Sequence, residues 1–249
     1  METLWDKKWK SFSSEAVRRT SLDRLSEAIY PFLKEMIRSG NSMKVLETGC
    51  GTGRFCFALA KDFPDINMQG IDISEDSIDL CKKAKTELHI RNVSFQVMDI
   101  NHMNFEEGSF DIAFNEGVIH HLSDDLTPLK EMVRIVRKGG SILLTVANKS
   151  CLPHTIYKAI KGKRYEYGHE KSYKCSELIA LMEKAGLKDI EVFGVIPEYG
   201  MQRIEGYLPV IGAIITQLIN LIAFLSDKVT NKRFSNKFGF QLVARGVKA

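Results

Sequence analysis

Apolar positions along this chain switch between two periods. Short apolar runs at Met43–Leu46, Met68–Ile71, Val93–Val97, Phe110–Phe114 and Ser141–Ala147 read as strands. Between them lie helical patterns at Arg54–Lys61 and at Glu75–Leu88, the second with Ser74 placed to cap it. A third helix is expected after Thr127, which would cap it, with Pro128 at its first position and Lys138-Gly139-Gly140 closing it. Strand and helix thus alternate, the signature of an α/β sheet. Ahead of this core, residues 1–42 carry Leu22, Leu25, Ile29, Phe32, Leu33, Met36 and Ile37 at helical spacing. Pro31 predicts a kink or a helix start there, and Gly40 ends the segment. A last strand is expected over Phe238–Arg245, where Phe238, Phe240, Leu242 and Ala244 alternate with Gly239, Gln241, Val243 and Arg245.

The chemistry concentrates where the first run ends, in Glu47-Thr48-Gly49-Cys50-Gly51-Thr52-Gly53. Glycine lets the backbone take φ > 0 and lets a ligand approach the main chain. The N–H groups of the helix that follows favour an anionic group at the same point. A dinucleotide fingerprint, G-x-G-x-x-G, does not fit, because its third glycine falls on Arg54 or on Cys56. The spacing is E-x-G-x-G-x-G, and Glu47 places a carboxylate where it can hold an ammonium group. At the end of the second run, about 20 residues past the glycine turn, stands Asp72, positioned as the acid that accepts ribose hydroxyl protons in dinucleotide folds. Asp99 follows the third run. Three acids, Glu47, Asp72 and Asp99, therefore end three successive strands along one edge, the edge at which open α/β sheets bind ligands.

On this turn the sequence resembles the class I S-adenosylmethionine (SAM)-dependent methyltransferases. Further along, Phe110-Asp111-Ile112-Ala113 running to His120-His121-Leu122 is similar to their small-molecule branch, including the ubiquinone- and menaquinone-biosynthesis type, with Ala113 where that branch has valine. The stretch from Arg134 to Thr145 has the same texture. The likeness is close over residues 43–147 and looser over 169–195, through His169, Tyr173, Leu178, Leu181 and Ala185-Gly186-Leu187. The chain lacks the N-P-P-Y or D-P-P-Y pattern of relatives that methylate nucleic-acid or protein amides, and the Pro-Cys pair of cytosine C5 enzymes.

The resemblance implies one doubly wound, seven-stranded Rossmann-like α/β domain over residues 1–249, with the last strand antiparallel, N-terminal helices and a lid. It implies SAM as cofactor and a small-molecule acceptor. Glu47, Gly49, Gly51, Gly53, Asp72, Ile73, Met98, Asp99, Ile100 and Asn115 form the expected cofactor set. In it Asp99 would accept from the adenine amine, and Ile73, Met98 and Ile100 would sandwich the ring. His120 and His121 follow the fourth strand, near where the methyl group would point, and either could take the acceptor's proton. His120 is expected to be the more exposed of the pair; the competing reading buries one of them to shape the loop. The sulfonium already activates the methyl group, so no metal is required. The remaining alternatives are a nicotinamide-dependent oxidoreductase and a non-catalytic SAM-binding module.

Two stretches break the alternation. Residues 148–175 interleave Lys158, Lys161, Lys163, Arg164, Lys171 and Lys174 with Tyr157, Tyr165, Tyr167 and Tyr173. They read as a solvated loop or as a lid over an aromatic or anionic acceptor. Residues 206–226 carry no charge and are long enough to span a bilayer. Small and polar residues gather on one side, however, and the segment leads back to a strand. It is therefore expected to be an apolar helix that packs on the sheet or on a second subunit to give a homodimer, lines or covers the site of a lipid-like acceptor, or rests on a membrane surface as a peripheral contact. Trp5, Trp9 and Phe12 are candidate contacts at the N-terminus.

Composition adds bounds. The 249 residues are 44% hydrophobic and 27% charged, an ordinary soluble balance. A net charge of +4 gives no argument for nucleic acid. Five cysteines without a C-x-x-C pair read as reduced thiols, and the N-terminus has no signal-peptide core, so a cytoplasmic protein is expected.

Overall fold

A computed structural model of the chain describes residues 22–37, 42–197, 199, 217–218, 221 and 238–249. Its first described helix, α1 (Arg24–Met36), starts at Asp23, whose side chain accepts from Ser26 N at 2.8 Å, and runs through Pro31. Pro31 thus marks neither the start nor the end of the helix. Five strands and three helices follow: β1 (Lys44–Thr48), α2 (Arg54–Asp62), β2 (Asn67–Asp72), α3 (Glu75–Glu87), β3 (Val93–Val97), β4 (Phe110–Glu116), α4 (Leu126–Ile135) and β5 (Val136–Ala147). The chain continues through α5 (Leu152–Lys161), α6 (Cys175–Lys184), β6 (Leu187–Val195) and β7 (Gln241–Lys248).

The strands make one sheet in the order β3-β2-β1-β4-β5-β7-β6. β1 to β5 pair in parallel, and β7 runs antiparallel to both neighbours. The chain winds outward from β1 to β3, then returns to β4 on the other side of β1. That reversal opens a crevice between β1 and β4 at the strands' C-terminal ends. Helices cover both faces, so central strands are buried on both sides and read as apolar runs rather than alternating ones. Val45 packs into one core with Ile29, Leu33, Phe55, Phe57, Ile78 and Phe95, under α1 to α3. Leu46 packs into the other with Ile71, Leu129, Met132, Leu178 and Met182, under α4 and α6. Fully buried side chains such as Phe55 and Phe114 each contribute on the order of 1.5–3 kcal/mol by leaving water.

Four local expectations need correction. The N-cap position of α4 is Asp125, and the side chain that meets the first N–H groups is that of Asp124, which accepts from Leu126 N, Thr127 N and the Thr127 hydroxyl; Thr127 is already inside the helix. That helix ends at Ile135, and Lys138-Gly139-Gly140 belongs to the start of β5. There the pairing with β4 slips between Phe110 and Ile112, and a Cβ on Gly140 would meet Val136 Cγ1 at 2.5 Å and Asp111 O at 2.7 Å. The glycines serve a bent strand rather than a helix end. Residues 148–175 are not an open loop: they hold α5, and Tyr157, Tyr165 and Tyr173 are buried. The last strand begins at Gln241, and its residues are buried on both faces from Gly239 to Ala244, so strict alternation fails as it does in the other central strands. Trp5, Trp9 and Phe12 lie outside the described residues, as does most of 206–226. No helix among the described residues is long and apolar enough to cross a membrane.

Candidate active site

The turn after β1 is held open by its backbone. Gly49, Gly51 and Gly53 all take positive φ, at 72°, 50° and 69°. The Gly49 and Cys50 N–H groups both donate to Ile71 O, at 2.7 and 2.9 Å, which ties the turn to β2. A Cβ on Gly49 would strike Val118 Cγ2 at 2.5 Å, so only glycine lets the loop after β4 lie against this turn. Gly53 starts α2 without a side-chain cap, leaving the first N–H groups of that helix to other partners.

Asp72 is the acid most closely built into the turn. It is 7% exposed; one carboxylate oxygen accepts from Gly51 N at 2.9 Å and the other from Ser74 N at 3.0 Å. Beside it Ile73 is 60% exposed, a large apolar side chain left uncovered at the sheet edge. Asp99 is exposed and accepts from the Asn101 main-chain and side-chain nitrogens, each at 2.9 Å. Glu47 sits deeper: at 2% exposed it meets the Cys56 thiol at 2.9 Å, and burial raises its pKa well above the usual carboxylate range. Cys50, Cys56 and Cys81 gather around the same turn, so cysteines scattered in the sequence are neighbours here.

Other members of the expected cofactor set have different surroundings. Met98 and Ile100 are 8% and 6% exposed and belong to the core under α4, which leaves Ile73 as the uncovered apolar face. Asn115 is fully buried with its amide committed: Nδ2 donates to Thr48 O and Thr48 Oγ1 at 2.9 Å, and Oδ1 accepts from Val118 N and Ile119 N. Its side chain braces the loop after β4, as a buried amide must satisfy its polar atoms within the protein. An ion pair absent from the sequence reading, Arg54 with Glu116 at 2.5 Å and Asp23 at 3.4 Å, ties α2 to the end of β4 and the start of α1.

The histidine pair reverses one expectation. His120 is the buried member, 3% exposed, and burial together with the neighbouring His121 holds its pKa down to about 3. A neutral ring fits that depth, since desolvation disfavours the imidazolium. His121 is half-buried, its Nδ1 lies 2.7 Å from His169 O, and the two rings have centroids 4.3 Å apart. The segment after α5 folds back onto them. Lys171 N donates to His120 O at 2.8 Å, Lys171 Nζ pairs with Asp125, and Tyr173 OH donates to Asp125 at 2.6 Å. Glu170 comes with that segment, its side chain 7% exposed; it meets His154 Nε2 at 2.9 Å, Lys158 Nζ at 2.9 Å and the Tyr165 hydroxyl at 2.6 Å. Burial alone would raise its pKa, but the hydrogen bonds from His154 and Tyr165 outweigh it and hold the carboxyl far below its usual range. A separate open depression, lined by Lys44, Gln69, Arg91 and Ser94 among others, lies at the strands' N-terminal ends, away from all these groups.

The family model described as a methyltransferase domain matches residues 39–191. The chain is 31% identical over 128 residues to a demethylmenaquinone methyltransferase of Lactococcus lactis, a match covering 50% of each protein. It is 26% identical over 159 residues to a ubiquinone biosynthesis O-methyltransferase of Coxiella burnetii, covering 61% of this chain and 66% of that one. The chain thus spans about half the length of the first relative. Among solved structures, a SAM-dependent methyltransferase of Thermotoga maritima, described as a possible histamine N-methyltransferase, superposes with a TM-score of 0.65 at 18% identity, over 99% of this chain and 98% of that one. At that identity the likeness shows the shared fold. The matched region contains the glycine turn, the three strand-end acids and the histidine pair, and it sets aside the nicotinamide-dependent alternative: the chain belongs to the methyltransferase-domain family, of the class I S-adenosylmethionine-dependent kind.

Proposed function

We propose that this chain transfers the methyl group of SAM to a small-molecule acceptor in the crevice at the C-terminal ends of β1 and β4. The observation that carries the reading is Asp72, a buried carboxylate fixed by Gly51 N and Ser74 N beside three left-handed glycines and an uncovered Ile73. That set fits an adenosine. Asp72 would accept from the ribose hydroxyls, Ile73 would cover one face of the base, and exposed Asp99 would take its exocyclic amine. The turn's glycines let the chain of the ligand pass close to the main chain. Glu47 lies below the turn, where an ammonium group would supply the counter-charge that its burial lacks.

When bound, SAM supplies a methyl group already activated on a sulfonium. The protein's share is alignment, exclusion of water and removal of the acceptor's proton. Val118 and the loop braced by Asn115 form one wall, and the 148–175 segment forms the roof over the histidines. Of the pair, half-buried His121 is the one an acceptor can approach. His120 shapes the loop from beneath. The match to quinone-pathway enzymes favours an acceptor with a hydroxyl or an activated ring carbon. The test is incubation of the full chain with isotopically labelled SAM and fractionated metabolite extracts. Label should appear in a small molecule and disappear with Asp72→Ala; no labelled product from any fraction, with SAM bound, would point to a non-catalytic binding module.

A further inference from the structure

The corner made by His120, His121 and Glu170 has a feature that methyl transfer alone does not need. One ring nitrogen from each histidine and one carboxylate oxygen of Glu170 lie within 4.8 Å of one another. Two imidazoles and a carboxylate are the ligand set of open zinc sites and of related divalent centres. We propose that this triad binds a divalent cation of the zinc class, and that the cation holds the acceptor's oxygen beside the methyl group. This deepens the proposed function and rests on it for the cation's role, though not for the site itself.

Three further observations support a built site. His120 is nine-tenths buried, yet its Nδ1 has no hydrogen-bond partner among the described residues. A buried nitrogen left so is costly unless something completes it. The second ring is oriented from behind: His121 Nδ1 lies 2.7 Å from the His169 carbonyl oxygen, the kind of outer partner that orients a ligating imidazole. The carboxylate has an outer layer too, since His154 Nε2 and the Tyr165 hydroxyl both contact Glu170. Outer partners of this kind are the usual companions of metal ligands. Lys158 opposes the site, because its ammonium lies 2.9 Å from Glu170 Oε1. The same ammonium is also held by Glu170 O at 2.7 Å and Ser172 Oγ at 3.1 Å, which it can keep when a cation arrives. Ligands on tetrahedral zinc at about 2.0–2.1 Å stand about 3.3–3.4 Å apart, so the triad would draw in by no more than about 1.4 Å.

The chemistry balances without a redox partner. The cation binds the acceptor hydroxyl and lowers its pKa, as bound zinc does for water. The proton passes to solvent. An oxygen lone pair then forms the C–O bond as the C–S bond breaks, and that electron pair stays on sulfur to give the thioether. In this reading His121 acts through the cation and not as a free base.

The test is calorimetric titration of Zn²⁺, and visible absorption on Co²⁺ addition, using untagged full-length chain stripped with chelator, with SAM binding and the melting curve measured on every variant. One Zn²⁺ per chain is expected, with a Co²⁺ spectrum of low coordination number. Glu170→Gln and His121→Ala should each weaken the metal at least about 10–100-fold while SAM affinity stays unchanged. Lys158→Met should tighten it. Equal Zn²⁺ binding by wild type and both ligand variants, or SAM binding with no Zn²⁺ binding at all, overturns the inference and leaves the methyltransferase reading standing. Zn²⁺ binding lost in both variants, in a chain that binds no SAM, upholds the site and overturns the proposed function. Should the ligand variants fail to fold, the Lys158→Met affinity and the Co²⁺ spectrum of wild type decide the matter.

Discussion

The two halves of the crevice are built differently. On the proposed cofactor side, the parts lie between Glu47 and Asp99 and combine main-chain groups, namely glycine N–H groups and a strand carbonyl, with an acid at each strand end. On the proposed acceptor side, the parts come from distant stretches. His120 and His121 follow β4, while Glu170, Tyr165 and Lys158 arrive from the segment after β5 and are held by side-chain contacts. A site made of backbone tolerates little change in backbone conformation. A site made of side chains tolerates single changes that leave its frame standing, and it is where acceptor choice can vary within one fold.

That contrast can be broken most sharply at the glycine turn. Gly51→Val should all but abolish SAM binding, a loss above about 100-fold, because φ of 50° is unfavourable for a β-branched residue and its side chain fills the space of the ligand. Calorimetry on a variant with a native melting curve checks this. Next in size, His121→Ala should lower turnover roughly 10²–10⁴-fold, the range expected when deprotonation of the acceptor loses its support from this ring, directly or through a bound cation, with SAM affinity near wild type. If instead SAM affinity falls in step with turnover, the two halves are not separable as described. Asp72→Ala should cost about 1.5–3 kcal/mol of SAM binding through the loss of charge-assisted hydrogen bonds. Asp72→Asn, which keeps an acceptor oxygen for Gly51 N, should recover part of the loss if the turn geometry contributes.

The smallest expected effect concerns how the roof is docked. Asp125 takes hydrogen bonds from Tyr173 and Lys171, and despite partial burial these lower its pKa below the usual value. A depressed folded-state pKa contributes stability above the unfolded value, near 3.8, and loses it as pH falls through the folded value. Asp125→Asn should therefore cost about 1 kcal/mol at neutral pH and flatten the acid side of the stability curve. Hydrogen exchange confined to residues 166–173 is the sensitive measure.

The same contrast explains what the sequence made legible. The order of strands and helices and the acids around the glycine turn follow from short-range patterns, the antiparallel last strand follows from the family resemblance, and the sheet carries all of them where expected. The bracing role of the Asn115 amide has no sequence signal, because a position at a strand end says nothing of where a buried amide spends its hydrogen bonds. Which of His120 and His121 is buried is not legible in the sequence, because two adjacent residues in a short 3-10 turn carry no periodicity to tell inside from outside. Met98 and Ile100 are expected adenine contacts, and their 8% and 6% exposure beside the 60% of Ile73 is a difference that the run of residues does not show. Glu170 had no signal at all: its place beside the histidines depends on α5 folding back, a contact some 50 residues apart along the chain. The three clustered cysteines are the same case, since Cys81 reaches Gly51 O only because α3 packs beside the turn.

The account stands on the glycine turn and Asp72 forming an adenosine site that leads to methyl transfer. Titrating SAM, S-adenosylhomocysteine and NADH in parallel into the full chain and into Asp72→Ala tests it most directly. The account predicts one site for SAM and its demethylated product, weakened in the variant, and no heat with NADH. Binding of NADH, or SAM binding that Asp72→Ala leaves untouched, would contradict it.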